Sequence, residues 1–280
     1  LTVQEFFQAG GVFRVGANSA RTLVVTGNTS ITAGTMYIST GAGNDTIISG
    51  GDFTHTGGTI TESSTGAGVI YFTKAGTQLY TSGGTVSNTI HFSVKSGTTL
   101  QMGTAATPAT ITGGGTFTLA PGATLGITSP AGIASSGATG NIQSTGTRTL
   151  PVTANYTYNG GAAQTTGTGL PSGLTGILTI DNPGNTVTLN NARTIGNGGS
   201  LVLAGGTFAA GSSLTMSSTS SITRRSGSMT GTPQGAGVYD VTYTEGSKTT
   251  GTELAGSGLR HVTVSLTDGQ VLTLDASRSP

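Results

Sequence analysis

Apolar residues along this chain come in runs of three to five positions, alternating with polar ones and set off by glycine, asparagine or Ser-Gly. The recurring unit is a glycine, then threonine or serine, then a stretch in which every second residue is apolar. It reads Gly34-Thr35-Met36-Tyr37-Ile38, Gly58-Thr59-Ile60, Gly76-Thr77-Gln78-Leu79-Tyr80, Gly84-Thr85-Val86 and Gly97-Thr98-Thr99-Leu100. It returns as Gly115-Thr116-Phe117-Thr118-Leu119, Gly122-Ala123-Thr124-Leu125 and Gly199-Ser200-Leu201-Val202-Leu203. A period of two bounded by turn residues predicts short β-strands.

The spacing of these units predicts how the strands are arranged. Some steps are long (76 − 58 = 18 and 115 − 97 = 18) and others short (84 − 76 = 8 and 122 − 115 = 7). A coil of about 18–25 residues, built from two or three short strands, accommodates both, and that is the pattern of a β-solenoid or parallel β-helix. A three-residue strand cannot bury an apolar face alone, whereas stacked coils align such faces into continuous ladders. The expected ladder residues include Val24, Ile38, Ile48, Ile60, Ile70, Leu119, Leu125, Ile180, Leu189, Leu203 and Leu274. Glycine is expected at the corners, and outward threonine and serine along the faces. An antiparallel β-sandwich array is the competing architecture, but its strands usually run five or six residues.

A longer repeat overlies this one. Tyr158-Asn159-Gly160 through Gln164-Thr165-Thr166-Gly167-Thr168-Gly169-Leu170 is answered by Tyr243-Thr244-Glu245 through Lys248-Thr249-Thr250-Gly251-Thr252-Glu253-Leu254. Leu178-Thr179-Ile180 is likewise answered by Val262-Thr263-Val264 (262 − 178 = 84), and Val187-Thr188-Leu189 by Leu272-Thr273-Leu274 (272 − 187 = 85). The division this suggests is solenoid coils over 1–150, a first repeat module over 151–235 and an incomplete second module over 236–280. Segments 128–150 and 218–238, poorer in apolar residues, are expected to be longer loops. The ends, Leu1-Thr2-Val3 and Ser279-Pro280, read as cut ends of a longer chain.

Composition narrows the classes. Forty-nine of 280 residues are glycine, and glycine costs about 1 kcal/mol against alanine inside a helix, so long helices are disfavoured. Disorder is disfavoured as well, because 34% of the residues are hydrophobic and the net charge is only +1. Arg224-Arg225 is the only basic doublet, so nothing resembles a nucleic-acid-binding stripe, and no apolar run approaches a membrane span.

Candidate chemistry is sparse. The ten carboxylates are Glu5, Asp45, Asp52, Glu62, Asp181, Asp240, Glu245, Glu253, Asp268 and Asp275, with no two adjacent or at i, i+2. They are expected at the surface. A glycan-processing site would need two of them within about 5–10 Å. Asp45 with Glu62, or Asp45, Asp52, Glu62, Arg14 and Lys74 gathered on one face, would be the way to build one. His55, His91 and His261 are isolated and lack zinc-ligand spacing, with His91 expected to point outward. Gly113-Gly114-Gly115 and Gly196-Asn197-Gly198-Gly199 lack the Gly-Lys-Thr/Ser ending of a phosphate loop and read as turns. Asn28, Asn44 and Asn155 open Asn-x-Ser/Thr triplets, and Asp45-Thr46-Ile47 resembles a short O-glycosylation motif. Thr-x-Thr, as in Thr116-Phe117-Thr118, raises ice binding, although such rows do not recur regularly in the sequence. No catalytic, cofactor-binding or metal-ligating residue is nominated.

Gly51-Asp52-Phe53-Thr54-His55-Thr56-Gly57-Gly58-Thr59, Ile70-Tyr71-Phe72 and Gly76-Thr77-Gln78-Leu79-Tyr80-Thr81-Ser82-Gly83-Gly84-Thr85 resemble the "GNFTQSGGT … ITFNGSGTQTYTSGGT" style of large Bacteroidota surface proteins. Gly146-Thr147-Arg148-Thr149, Ala154 to Gly160, Thr166 to Pro171 and Leu178 to Asn182 continue the likeness over most of the chain. The second copy departs from it where Asn159-Gly160 becomes Thr244-Glu245 and Pro171 becomes Ala255. The resemblance implies secreted, repetitive cargo of the type IX secretion system, similar to gliding and attachment adhesins. The C-terminal sorting domain of such cargo is not recognisable here. The expected function is therefore a non-enzymatic, extracellular stalk or filament segment of a bacterial adhesin. Its partners would be surface glycans or other copies of itself, together with secretion and surface-attachment machinery. A carbohydrate-active or glycan-binding β-helix and an ice-binding protein are the alternatives.

Overall fold

Each alternating run is a strand, and each strand pairs in parallel with the equivalent run one coil away. The computed structural model describes residues 1–63, 65–235 and 238–277. Strand accounts for 51% of the chain and the coils make about 12 turns of a β-solenoid. The one helical piece among the described residues is a 3-10 turn, Thr252–Leu254, as the glycine content requires.

A coil in the first half visits three sides in order. Thr22–Val25 belongs to a seven-stranded sheet that continues through Asp45–Ser49, Gly68–Phe72, Ile90–Val94 and Phe117–Leu119 to Arg148–Thr149. Thr29–Ser39 belongs to a sixteen-stranded sheet and is bent in the middle. Its first half pairs with Phe53–His55 and its second half with Thr59–Thr61, so it covers two sides of the coil. Gly34 sits at the bend with φ +85°, stacked between Gly11 (φ +64°) and Gly58 (φ +72°). A Cβ on Gly34 would lie 2.5 Å from the Gly11 carbonyl oxygen, and one on Gly58 2.6 Å from that of Gly34. Positive φ and the absence of a Cβ are thus both required at this corner.

The core is the stack of inward positions. Leu100, Leu125, Tyr156, Leu178, Leu201, Ile222 and Val241 are successive register partners, and all are buried. Their separations give the coil length directly: 25, 31, 22, 23, 21 and 19 residues. The 31-residue step contains the expected loop after residue 128. The other expected loop, 218–238, instead contains two strands, Ser220–Arg224 and Ser228–Thr230. The 18-residue steps are not coils either. Gly58 stacks 24 residues after Gly34, and Gly76 pairs with Thr98, 22 residues on. Counting glycines compares units that lie on different sides.

Most of the expected ladder residues are buried: Ile38, Ile60, Ile70, Leu119, Leu125, Ile180, Leu189 and Leu203. Three are not. Val24 and Ile48 face outward, because the strands Thr22–Val25 and Asp45–Ser49 bury Leu23, Val25 and Ile47 instead. Leu274 is 60% exposed, on the last described coil.

The sixteen-stranded sheet passes through residues 150 and 235 without interruption, since Leu125 pairs with Tyr156 and Ile222 with Val241. Near 150 it is the seven-stranded sheet that ends, and further on the third side is carried by the pair Arg193–Ile195 and Leu214–Met216. The long repeat is four coils: Tyr158, Ile180, Leu203, Arg224 and Tyr243 are consecutive partners. Gln164 pairs with Val187 in the first copy and Lys248 with Leu272 in the second, so the two phrases hold equivalent places.

Leu119→Asp tests the ladder. Leu119 is 1% exposed, so the substitution loses packing and buries an unpaired charge. It is expected to cost at least about 3 kcal/mol in denaturant unfolding.

Candidate functional site

Polar side chains enter this solenoid mainly at corners, where the chain leaves one sheet for the next and backbone groups lose their ladder partners. Gln78, on the same strand phase as Tyr80, is fully buried. Its Nε2 donates to the Ser49 and Gly51 carbonyls of the previous coil, and its Oε1 accepts from the Lys74 N–H at 3.3 Å. Gln164 is held in the same way, donating to the Ile127 and Ser129 carbonyls and accepting from the Gly160 N–H, each at 3.0 Å. Asn141 fills the enlarged coil, with Nδ2 on the Ala109 carbonyl at 2.7 Å and Oδ1 accepting from the Thr128 and Ser129 N–H groups. None of these residues stands out in the sequence. The one signal for Gln78 is that it shares its phase with an inward tyrosine.

The three triplet asparagines turn out to be braces. Oδ1 of Asn28, Asn44 and Asn155 accepts from the N–H of Asp52, Ala67 and Ile177, at 2.9, 3.0 and 2.9 Å, each 22 to 24 residues further on. Their amides tie one coil to the next.

The expectation that all carboxylates are solvated is corrected at three positions. Asp45, Glu62 and Glu253 are buried. Asp45 accepts from the Arg21 N–H at 2.7 Å, and Glu62 from the Gly68 and Thr89 N–H groups at 3.0 and 3.2 Å. Hydrogen bonds from strand-starting amides offset part of the cost of burial, although Asp45 Oδ2 is buried without a partner among the described residues. Asp52 and Lys74 form an ion pair at 2.7 Å. Although partial burial would raise the Asp52 pKa, the bonds from Lys74 and the Leu79 N–H outweigh it and hold the carboxyl below its ordinary value. Arg14 lies over the Tyr37 ring, 5.2 Å from its centroid. Asp45, Asp52, Glu62, Arg14 and Lys74 therefore do not line one open face: two are inside, two pair with each other, and Arg14 has its own aromatic partner.

The most concentrated polar group in the interior is Arg224–Glu253–Tyr243. Arg224 occupies a ladder position, between Leu203 and Tyr243 in register. Its Nη1 donates to Glu253 Oε1 at 2.5 Å, and the same oxygen accepts from the Tyr243 hydroxyl at 2.8 Å. The Gly251 N–H also donates to it, at 2.9 Å. Burial, followed by the neighbouring Glu253 charge, pushes the Tyr243 pKa far up. In the first copy of the repeat the corresponding hydroxyl, on Tyr158, donates to the Thr166 carbonyl at 2.6 Å, and Gly169 stands where Glu253 stands in the second.

The histidines remain apart. His91 faces outward, as its strand phase requires, with Nδ1 2.9 Å from Thr116 Oγ1. His261 lies beside Asp240, which Arg260 grips through two nitrogens at 2.9 and 2.7 Å. The Arg260 bond is the main cause holding the Asp240 carboxyl below its usual range. His55 is fully buried, and burial lowers its pKa against the opposing effect of the Gly58 backbone. The glycine clusters are close approaches between coils: a Cβ on Gly115 would collide with the Ile90 carbonyl and one on Gly199 with that of Leu174. No group of three or more potential metal ligands occurs among the described residues.

Two recesses, of about 520 and 500 Å³, lie at the two ends of the stack. One is lined by residues such as Val264, Leu266 and Leu272, the other by Leu1, Phe13 and Leu23. The long side faces carry rows of small hydroxyl and β-branched side chains. No family model, curated protein or solved structure matches the chain.

Two predictions follow from the interior polar groups. Glu253→Ala leaves Arg224 buried without its counter-ion and is expected to cost about 3–5 kcal/mol, whereas Arg224→Leu combined with Glu253→Leu recovers most of that loss in denaturant titrations. Because the folded-state pKa of His55 is lowered, the unfolded chain binds the extra proton first. Stability is then full above about pH 6.5 and falls as the pH drops below it. His55→Met should flatten the pH dependence of the melting temperature between about pH 6.5 and 4.5, above the range in which Asp52 titrates.

Proposed function

We propose that this chain is a rigid spacer: a β-solenoid segment of an extracellular bacterial surface adhesin, whose output is length and repeated surface rather than turnover. The observation that supports it is the use made of the polar interior. The buried amides and carboxylates described above are bound to backbone groups of their own or neighbouring coils, and so serve stacking. The ladder from Phe6–Gly16 to Leu259–Ser265 joins twelve strands in parallel, and at about 4.8 Å per step gives a rod about 53 Å long.

Low charge and an abundance of threonine, serine and glycine suit such a segment, as does the likeness to type IX secretion cargo with gliding and attachment roles. A net charge of +1 gives no long-range pull on nucleic acid. Among the described residues no helix is long and apolar enough to cross a membrane. Surface glycans, or further copies of the chain, are the partners this reading implies, with attachment machinery acting on the parent protein.

Electron microscopy of the purified chain should show thin rods, and cells lacking the parent protein should attach less well to surfaces and glycans. Hydrolysis of a polysaccharide, ester or peptide that disappears on Asp52→Asn or Asp240→Asn, without any attachment defect, would replace the spacer with an enzyme.

A further inference from the structure

One outward column on the sixteen-stranded sheet differs from its neighbour in a way that stacking alone does not require. On six consecutive strands, Thr157, Thr179, Val202, Thr223, Thr242 and Thr263 are register partners. Valine has the shape of threonine, so the column is six β-branched side chains in file, at the strand spacing of about 4.8 Å. Their χ1 angles are restricted by the branching, so their atoms are held in place before any ligand arrives.

The adjacent outward column is Asn155, Ile177, Ser200, Ser221, Asp240 and His261. Its polar groups are largely consumed within the protein. Asn155 bonds to Thr124 and to the Ile177 N–H, Ser221 bonds to Ser200 at 3.1 Å, and Asp240 bonds to Arg260 and His261. None of the five threonine hydroxyls has a hydrogen bond to another described residue, a property they share with outward threonines such as Thr46, Thr54 and Thr118 elsewhere; what distinguishes the column is five of them in file. Over the paired strands from Thr77 to Thr223, Thr77, Leu79, Thr99, Gln101, Thr124, Gly126 and then the two columns carry no charged side chain, and the nearest outward charge on these strands is Asp181, exposed two residues beyond Thr179.

We propose that this face binds the surface of an ice crystal. Ice offers neither charge nor pocket, only a periodic lattice of hydrogen-bond donors and acceptors. A protein can recognise it only by presenting donors and acceptors at a fixed repeat, over several repeats, on a flat rigid support. A soluble ligand would not need five copies of one group in line. Each threonine supplies a hydroxyl that both donates and accepts, next to a methyl that orders water without competing for its hydrogen bonds. A charged neighbour would hold its own hydration shell and disturb the match, and charges enter the columns only at Asp240 and beyond. The Thr-x-Thr motif is not the carrier, since the Thr116 hydroxyl is tied to His91. The carrier is one threonine per coil.

The test is thermal hysteresis and inhibition of ice recrystallisation by the purified chain, with far-UV circular dichroism as a check on folding. The expected result is measurable activity in both assays. It should be lost in Thr179→Tyr and Thr223→Tyr, which raise a bulky ring from the face, and retained in Ser93→Tyr on the other sheet. Absence of both activities in a folded chain, or equal activity in the two face variants, overturns the proposal. Binding to powdered cellulose or chitin that the same two variants abolish, without any effect on ice, overturns it in favour of a crystalline polysaccharide.

Discussion

Everything in this molecule depends on coils stacking in register. A strand of three residues has neither the area to bury an apolar face nor partners for its own amides, and both deficits are met only by the coils on either side. The constraint is geometric before it is chemical. Coils must approach to about 4.8 Å on all sides at once, corners included. That is why Gly11, Gly34 and Gly58 stand on top of one another, and why a Cβ on Gly34 or Gly58 would reach the carbonyl of the coil beside it.

The same constraint accounts for the polar interior. A ladder satisfies backbone groups along the sides but not where the chain turns, and a buried unpaired amide or carbonyl is expensive. Glutamine and asparagine fit these places because one side chain both donates and accepts. Gln78 and Gln164 reach back to the previous coil, while Asn28, Asn44 and Asn155 cap the next one. Asp45 and Glu62 do the same work through carboxyl oxygens that accept backbone N–H groups. Residues that would count as candidate catalysts in a globular enzyme here hold the spacing between coils.

The two copies of the long repeat show how far the interior can be altered without losing the stack. Tyr158 and Tyr243 hold the same place four coils apart, each with its hydroxyl bonded inside. In the first copy the acceptor is a backbone carbonyl. In the second it is Glu253, and the ladder has accepted Arg224 to balance it. A one-dimensional stack tolerates this exchange because each coil answers only to its neighbours.

The sequence by itself determined that the chain is all-β, that its strands are short and parallel-stacked, and that glycine takes the corners. Period-two alternation, repeat length and glycine content are local properties, read without knowing any contact. It also determined which apolar residues line the core where the alternation has a single apolar phase inside the stack, as at Phe117 and Leu119, although not at Leu274 on the last described coil. It did not determine the phase where both are apolar, so Val24 and Ile48 looked inward when Leu23 and Ile47 are the buried ones. Nor could glycine spacing give the coil length, because successive glycines belong to different corners. The braces, the buried acids and the free threonine column were decided by tertiary structure alone. Each is a relation between residues some 20 to 30 positions apart, and whether a side chain is consumed by the next coil or left facing water depends on what the stack places beside it.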